Sequence, residues 1–212
     1  MCSPDGGGRV HHGGVTDLDP AATLTGRLLV ATPALGDSNF ERSVVLVLDH
    51  DEDGALGIVI NRPTPVDVAE VLPVWQPLAT EPGVLFQGGP VALDSALGLA
   101  LVPGEGEDEP LGWRRVVGRL GLVDLDVPPE VLAAEVTRLR IFAGYAGWGA
   151  GQLEDELAEG AWYVVEARFG AGGDDAGDPF SDAPEDLWRQ VLRRQGGDLA
   201  MVSTYLDDPS LN

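Results

Sequence analysis

The chain has 212 residues and a formal net charge of −22, from 35 acids against 13 bases. That length is enough to bury a hydrophobic core without disulfide or metal staples, and so acidic a balance repels phosphate backbones, so direct nucleic-acid binding is not expected. Cys2 is the single cysteine, which excludes a disulfide framework and thiolate metal sites, and no apolar run approaches the length of a membrane span; the chain reads as cytoplasmic, with no membrane partner.

Every base is an arginine. Arg114, Arg115 and Arg119 form one small cluster and Arg189, Arg193 and Arg194 another, and both read as offsets to neighbouring acids and helix dipoles. Residues 1–22 carry Gly, His and Asp with almost no apolar periodicity, the composition of a flexible leader, so the expected organisation is a leader over 1–22 and one domain over 23–212. His11 and His12 fall in that leader and read as an accidental pair with no preformed site; no metal and no cofactor are expected.

From Arg27 the pattern turns to strands: Arg27 to Thr32, Val44 to His50 and Ala55 to Asn61, all rich in Val, Leu and Ile. Asp51-Glu52-Asp53-Gly54 between the last two is a hairpin turn signal. Thr64-Pro65-Val66-Asp67 predicts a helix opening, with Val68, Val71 and Leu72 on its buried face. Further strands are predicted at Val84 to Gln87, Ala96 to Val102, Leu120 to Leu125 and Ala161 to Phe169, and Pro103 to Pro110 reads as a surface loop. Pro128-Pro129-Glu130 opens a predicted helix with Leu132, Val136 and Leu139 at helical spacing. A Gly-rich corner is expected from Gly144 to Gly151, then a helix bearing Leu153 and Leu157; Gly170 to Asp178 reads as a loop. A last helix opens at Asp182-Ala183-Pro184-Glu185 and stops at Gly196-Gly197. Strands and helices interleave without strict alternation, so the predicted class is α+β with a mixed, largely antiparallel sheet.

Chemistry-bearing residues are sparse. A strand, a glycine loop and a helix start at Tyr145 to Gln152 can make an anion site, yet the loop lacks Lys, Arg, Ser and Thr, and Glu154, Asp155 and Glu156 load the helix opening with negative charge; the plain reading is that the glycines let backbone pass close beneath Tyr145 and Trp148. Phe86-Gln87-Gly88-Gly89-Pro90 reads as a turn. His50, flanked by Asp49 and Asp51, reads as a surface histidine. Asn61 and Arg62, at a strand end facing a helix start, offer donors to a ligand carboxylate or phosphate, or else neutralise the acidic hairpin.

Gly26-Arg-Leu-Leu, Phe40-Glu-Arg-Ser-Val-Val, Gly57-Ile-Val-Ile-Asn-Arg-Pro-Thr64, Gly88-Gly-Pro-Val91 and Gly144-Tyr-Ala-Gly-Trp-Gly-Ala-Gly-Gln-Leu-Glu154 stand in one order from about residue 24 to the C-terminus. Together they resemble the AlgH/YqgE family of bacterial proteins. The resemblance implies a branched sheet curling into a partial barrel with short helices packed on it, and no established activity. Many members carry a transcriptional-regulator label, against which stand the acidity of this chain and its lack of a helix-turn-helix signal. The chain departs from the family pattern at Ala92-Leu-Asp-Ser-Ala, where an arginine and an aromatic are usual.

The resulting expectation is a non-catalytic binding or regulatory protein whose ligand surface is made by Asn61, Arg62, Tyr145, Trp148, Gly149 and Gln152, its partner a protein or small ligand. One alternative is an enzyme of unknown reaction using Asn61, Arg62 and Glu154, which requires a deep pocket with a strongly shifted titratable group. The other is a transcriptional regulator acting indirectly, through a protein partner.

Overall fold

A computed structural model describes residues 23–104, 109–170 and 177–204. The predicted leader with Cys2, His11 and His12, and most of the loop predicted from Gly170, lie outside those residues.

The strands are β1 (Arg27–Ala31), β2 (Val44–Asp51), β3 (Gly54–Val59), β4 (Pro63–Asp67), β5 (Val84–Gln87), β6 (Val91–Leu101), β7 (Trp113–Val117), β8 (Leu120–Val123), β9 (Arg138–Gly149) and β10 (Trp162–Glu166). The helices are short: α1 (Val68–Val71), α2 (Gln152–Ala158), α3 (Leu187–Gln195) and α4 (Gly197–Val202). The main sheet runs β10-β1-β2-β3-β9-β6-β8-β7 with every neighbour antiparallel, curled into a half-barrel. β4 and β5 pair off this path, and β5 joins β9 in parallel through Phe86 to Phe142 and Gln87 to Ala143.

Burial explains why β2 reads Val-Val-Leu-Val-Leu without alternation: both its faces are covered. Val44, Leu46 and Leu48 belong to a core that includes Leu187, Trp188, Val191 and Leu192 of α3. Val45 and Val47 face a second core with Trp148, Leu153 and Trp162. Each such side chain contributes roughly 1.5–3 kcal/mol by leaving water. A third core holds Val68, Trp75, Leu132, Leu139 and Ile141.

The branch of the sheet is β9. Its C-terminal half pairs with Gly54 to Gly57 of β3, while its N-terminal half pairs with β6. Between these pairings Gly88 and Gly89 cross close to Gly144 and Tyr145. The Gly88 amide donates to Ala143 O at 2.8 Å, and Gly88 O accepts from the Val59 amide at 2.7 Å. A methyl at Gly89 would overlap the Tyr145 backbone, and one at Gly144 would lie 2.7 Å from Val91 O and 2.8 Å from Gly89 O. Gly144 also has φ 70°, which disfavours any residue with a Cβ. Gly88, Gly89 and Gly144, drawn from the two motifs, are thus required by one backbone crossing.

Four predicted elements are corrected. The helix expected after Pro128 is a single 3-10 turn, Pro129–Val131, before the chain extends into β9. Its apolar residues do enter the core, but Thr137 donates to Leu101 O from both its amide (2.8 Å) and its hydroxyl (2.9 Å), so sheet pairing captures the segment in place of helix. The helix opening moves from Thr64 to Asp67, whose amide donates to Glu70 Oε1 at 3.2 Å, because Thr64 lies in β4 with its hydroxyl on Leu85 O. The corner expected over Gly144 to Gly151 is strand as far as Gly149. Arg114 and Arg115 stand on β7, a strand the composition did not announce.

Candidate functional site

The residues singled out in the sequence are engaged with neighbours inside the fold. Asn61 is buried, its Oδ1 accepting from the Val44 amide at 2.8 Å and its Nδ2 donating to Arg42 O at 3.0 Å. Arg62 donates to Asn39 O and, at 3.0 Å, to Glu41 O; burial lowers its pKa. Both side chains therefore pin the loop that precedes β2. That loop carries Phe40, whose ring stacks on Trp148 with centroids 6.3 Å apart and meets Trp162 edge-on at 5.5 Å.

Glu156 of α2 closes this aromatic cluster. Its Oε2 accepts from the Trp148 indole at 2.9 Å and the Trp162 indole at 2.8 Å, and its Oε1 accepts from Gln152 Nε2 at 3.0 Å. Gln152 in turn accepts from the Gly149 amide at 3.1 Å. Trp148, Gly149 and Gln152 are thereby hydrogen-bonded to their own neighbours, while Tyr145 packs against the first core.

His50 differs from its expected surface role. Its Nδ1 accepts from the Leu24 amide at 3.1 Å, which assigns the ring proton to Nε2, 2.7 Å from Glu154 Oε1. This bond, followed by one from the Glu154 backbone, lowers the Glu154 pKa. Glu154 is therefore held by His50; neither Asn61 nor Arg62 hydrogen-bonds to it.

A larger opening lies elsewhere, between Thr80-Glu81, the start of β9 and the segment from Gly177 to Arg194. The cavity measures about 680 Å³, and Arg138, Arg168, Arg194 and Gln190 line it beside Asp178 and Asp182. Asp178 is 6% exposed and organises one wall. Its carboxylate accepts from both terminal nitrogens of Arg194, the Nη2 bond being 2.7 Å, and from the Arg168 amide at 2.8 Å. The Asp178 amide returns a bond to Arg168 O at 2.8 Å. Gly177 precedes it at φ 71°, where a Cβ would sit 2.6 Å from Arg168 O.

Behind another wall stands Arg140, 1% exposed on β9. It donates at 3.0 Å to each of three backbone carbonyls, Pro179, Glu81 and Ser181, and its guanidinium lies 4.2 Å above the Phe86 ring. Burial is the main cause that pulls its pKa down to about 10, partly countered by Asp182. Nε of Arg140 is buried with no hydrogen-bond partner among the described residues. One buried cation thus ties two wall segments to β9.

None of these cavity residues was chosen from the sequence as a ligand contact. Arg194 stood in the helix-end cluster read as an offset to dipoles and acids, and its pairing with Asp178 agrees with the acid half of that reading. Arg138, Arg168 and Asp178 lie 30 or more positions from one another or across a loop, so spacing carries no signal for them. A second cavity of about 570 Å³ begins one residue beyond Arg62, lined by Pro63, Pro65, Pro82 and Pro184, and shares Asp182 with the first. No group of three metal-ligating side chains occurs among the described residues, and no helix there is long and apolar enough to cross a membrane.

A family model described as AlgH-like matches residues 28–200. A UPF0301 protein of Streptomyces coelicolor is 69% identical over 200 residues, covering 93% of this chain and all of that protein. Among solved structures, a Corynebacterium diphtheriae protein superimposes with a TM-score of 0.72 at 32% identity, over 85% of this chain and 91% of that one. The solution structure of the AlgH protein from Pseudomonas aeruginosa gives 0.63 at 28% identity, over 90% and 98%.

Proposed function

The chain belongs to the AlgH-like family, and from that premise we propose that it is a non-catalytic cytoplasmic binding protein that takes a small molecule into the cavity beside Arg138, Arg168 and Asp178. The carrying observation is the cavity itself: its volume lies in the range of small-ligand sites, and its walls are fixed by the Asp178–Arg194 pair and the three carbonyl bonds of Arg140. The lining suits holding better than turnover. Among the described residues it contains no imidazole or thiol, the Thr80 hydroxyl oxygen accepts from the Leu139 amide at 3.0 Å, and Ser181 Oγ accepts from the Ala183 amide at 3.2 Å. Neither hydroxyl is paired with a base in the manner of an activated nucleophile.

Thermal unfolding against a panel of metabolites tests the reading, since whatever binds only the folded state raises the midpoint by mass action. At least one compound is expected to give a concentration-dependent rise that Gln190→Trp, which fills the cavity, abolishes. A rise that survives in this variant would move the site elsewhere.

A further inference from the structure

The segment from Val68 to Leu78, which forms α1 and the 3-10 turns over Pro73–Leu78, is apolar on both of its sides, although the fold covers only one. Val68, Leu72, Trp75 and Leu78 belong to the third core. Between them Val71 and Val74 stand 55% and 60% exposed, and Pro73 and Pro77 are exposed as well. A surface element ordinarily carries polar residues on its open side. The single turn Pro129–Val131 lies against these turns: Trp75 donates its indole N–H to Leu125 O at 3.2 Å and packs in the same core as Leu132. It adds Val131, so this one region holds three of the seven large apolar side chains that stand exposed among the described residues.

From this face we infer that α1, the 3-10 turns over Pro73–Leu78 and the turn Pro129–Val131 dock a partner protein through a segment whose apolar side chains are flanked by lysine or arginine. Asp67, Glu70, Asp126, Glu130 and Glu135 are exposed on or beside these elements, and the chain carries no base over 63–113 or over 120–137. An apolar centre framed by acids fits an opposite surface that is apolar and basic. The sign of the frame argues against other occupants. A second copy docked face to face would set acids against acids, and anionic lipid or nucleic acid would be repelled. Pro73, Pro77, Pro128 and Pro129 fix their own backbone, so little conformational freedom is lost on docking. None of the residues of this face lines either cavity, so the surface is separate from the small-molecule reading.

The experiment is fluorescence anisotropy of a labelled synthetic amphipathic helix, leucine along one face and lysine along the other, titrated with the full chain beside a sister peptide that has glutamate in place of lysine. The lysine peptide is expected to bind saturably and the glutamate peptide not to bind. Val71→Ser and Val74→Ser each weaken that binding about tenfold, whereas Met201→Ser, at an exposed apolar position on α4, leaves it unchanged. Glu130→Lys weakens it about threefold. The serine variants keep the melting midpoint of the parent, because the side chains they replace are exposed. Amide resonances of Val71, Val74 and Val131 shift as the lysine peptide is added. The inference is overturned by absence of saturable binding of the lysine peptide, by equal affinity in Val74→Ser and Met201→Ser, or by equal binding of the glutamate peptide. Self-association in sedimentation that Val74→Ser abolishes would give the face to a second copy and overturn it as well.

Discussion

The aromatic cluster around Glu156 and the arginine cavity around Asp178 are built in opposite ways. The first draws on a nearly continuous run, Trp148 to Trp162, with Phe40 added from one loop, and its polar atoms are satisfied within it. The second gathers Thr80, Arg138, Arg168, Asp178 and Arg194 from distant parts of the chain and leaves a void of about 680 Å³ between them. A conspicuous local motif here marks a place where backbone and side chains are locked, and the open chemistry lies where nothing conspicuous is written. Fold and function make different demands on residue types, so a dense motif belongs to packing unless its polar groups are left over.

That contrast can be broken most forcefully at the crossing. Gly89→Ala places a methyl against the Tyr145 backbone, and a loss of about 3 kcal/mol or more in urea unfolding is expected. A tolerated alanine would show that the two glycine motifs are not held by steric closeness. Next in size is Glu156→Ala, which leaves two indole N–H groups without an acceptor; a cost of about 2 kcal/mol is expected, with tryptophan fluorescence shifting as the rings loosen. Glu156→Gln keeps an acceptor for the indoles and should cost about half as much. Equal losses in the two variants would mean that the charge, and not the acceptor, holds the cluster.

A smaller effect attaches to Glu154. Its pKa is lowered in the folded state, so the stability it supplies is fully present above the ordinary value of 4.5 and is lost as pH falls through the lowered folded value. Melting midpoints of the parent and Glu154→Gln should therefore differ at neutral pH and converge in acid. A gap that persists in acid would assign the effect to packing. Smallest of all is the stability change for Arg168→Gln, expected within about 0.5 kcal/mol because the side chain is exposed. A large loss there would erase the distinction between a locked cluster and an open cavity.

Legibility followed the same division. The strands at Arg27, Val44 and Gly54 and their hairpin were readable because apolar runs and an acidic turn ending in glycine are local signals. The helix predicted after Pro128 failed because Leu132 and Leu139 are buried whichever backbone carries them, and the choice was made by Thr137 pairing with Leu101, a contact 36 residues away. His50 was misjudged for a related reason: its flanking aspartates are visible in sequence, whereas Leu24 and Glu154 reach it through the fold. Arg62 was read as a donor to a ligand or a counter-charge to the acidic hairpin, whereas in the fold it donates to backbone carbonyls of the Asn39 to Glu41 loop, which no side-chain pattern records. The branched sheet came from family resemblance, since pairing order is absent from periodicity.

The position of β9 has a consequence for synthesis. β3, β5 and β6 all await this strand, which ends only at Gly149. On the ribosome β3, β5 and β6 therefore each emerge with a pairing edge open, and long-range strand pairing of this kind folds slowly and is exposed to aggregation. Pro63 and Pro65 on the outer strand β4 lack the N–H groups through which a second nascent chain would zip onto it during that wait.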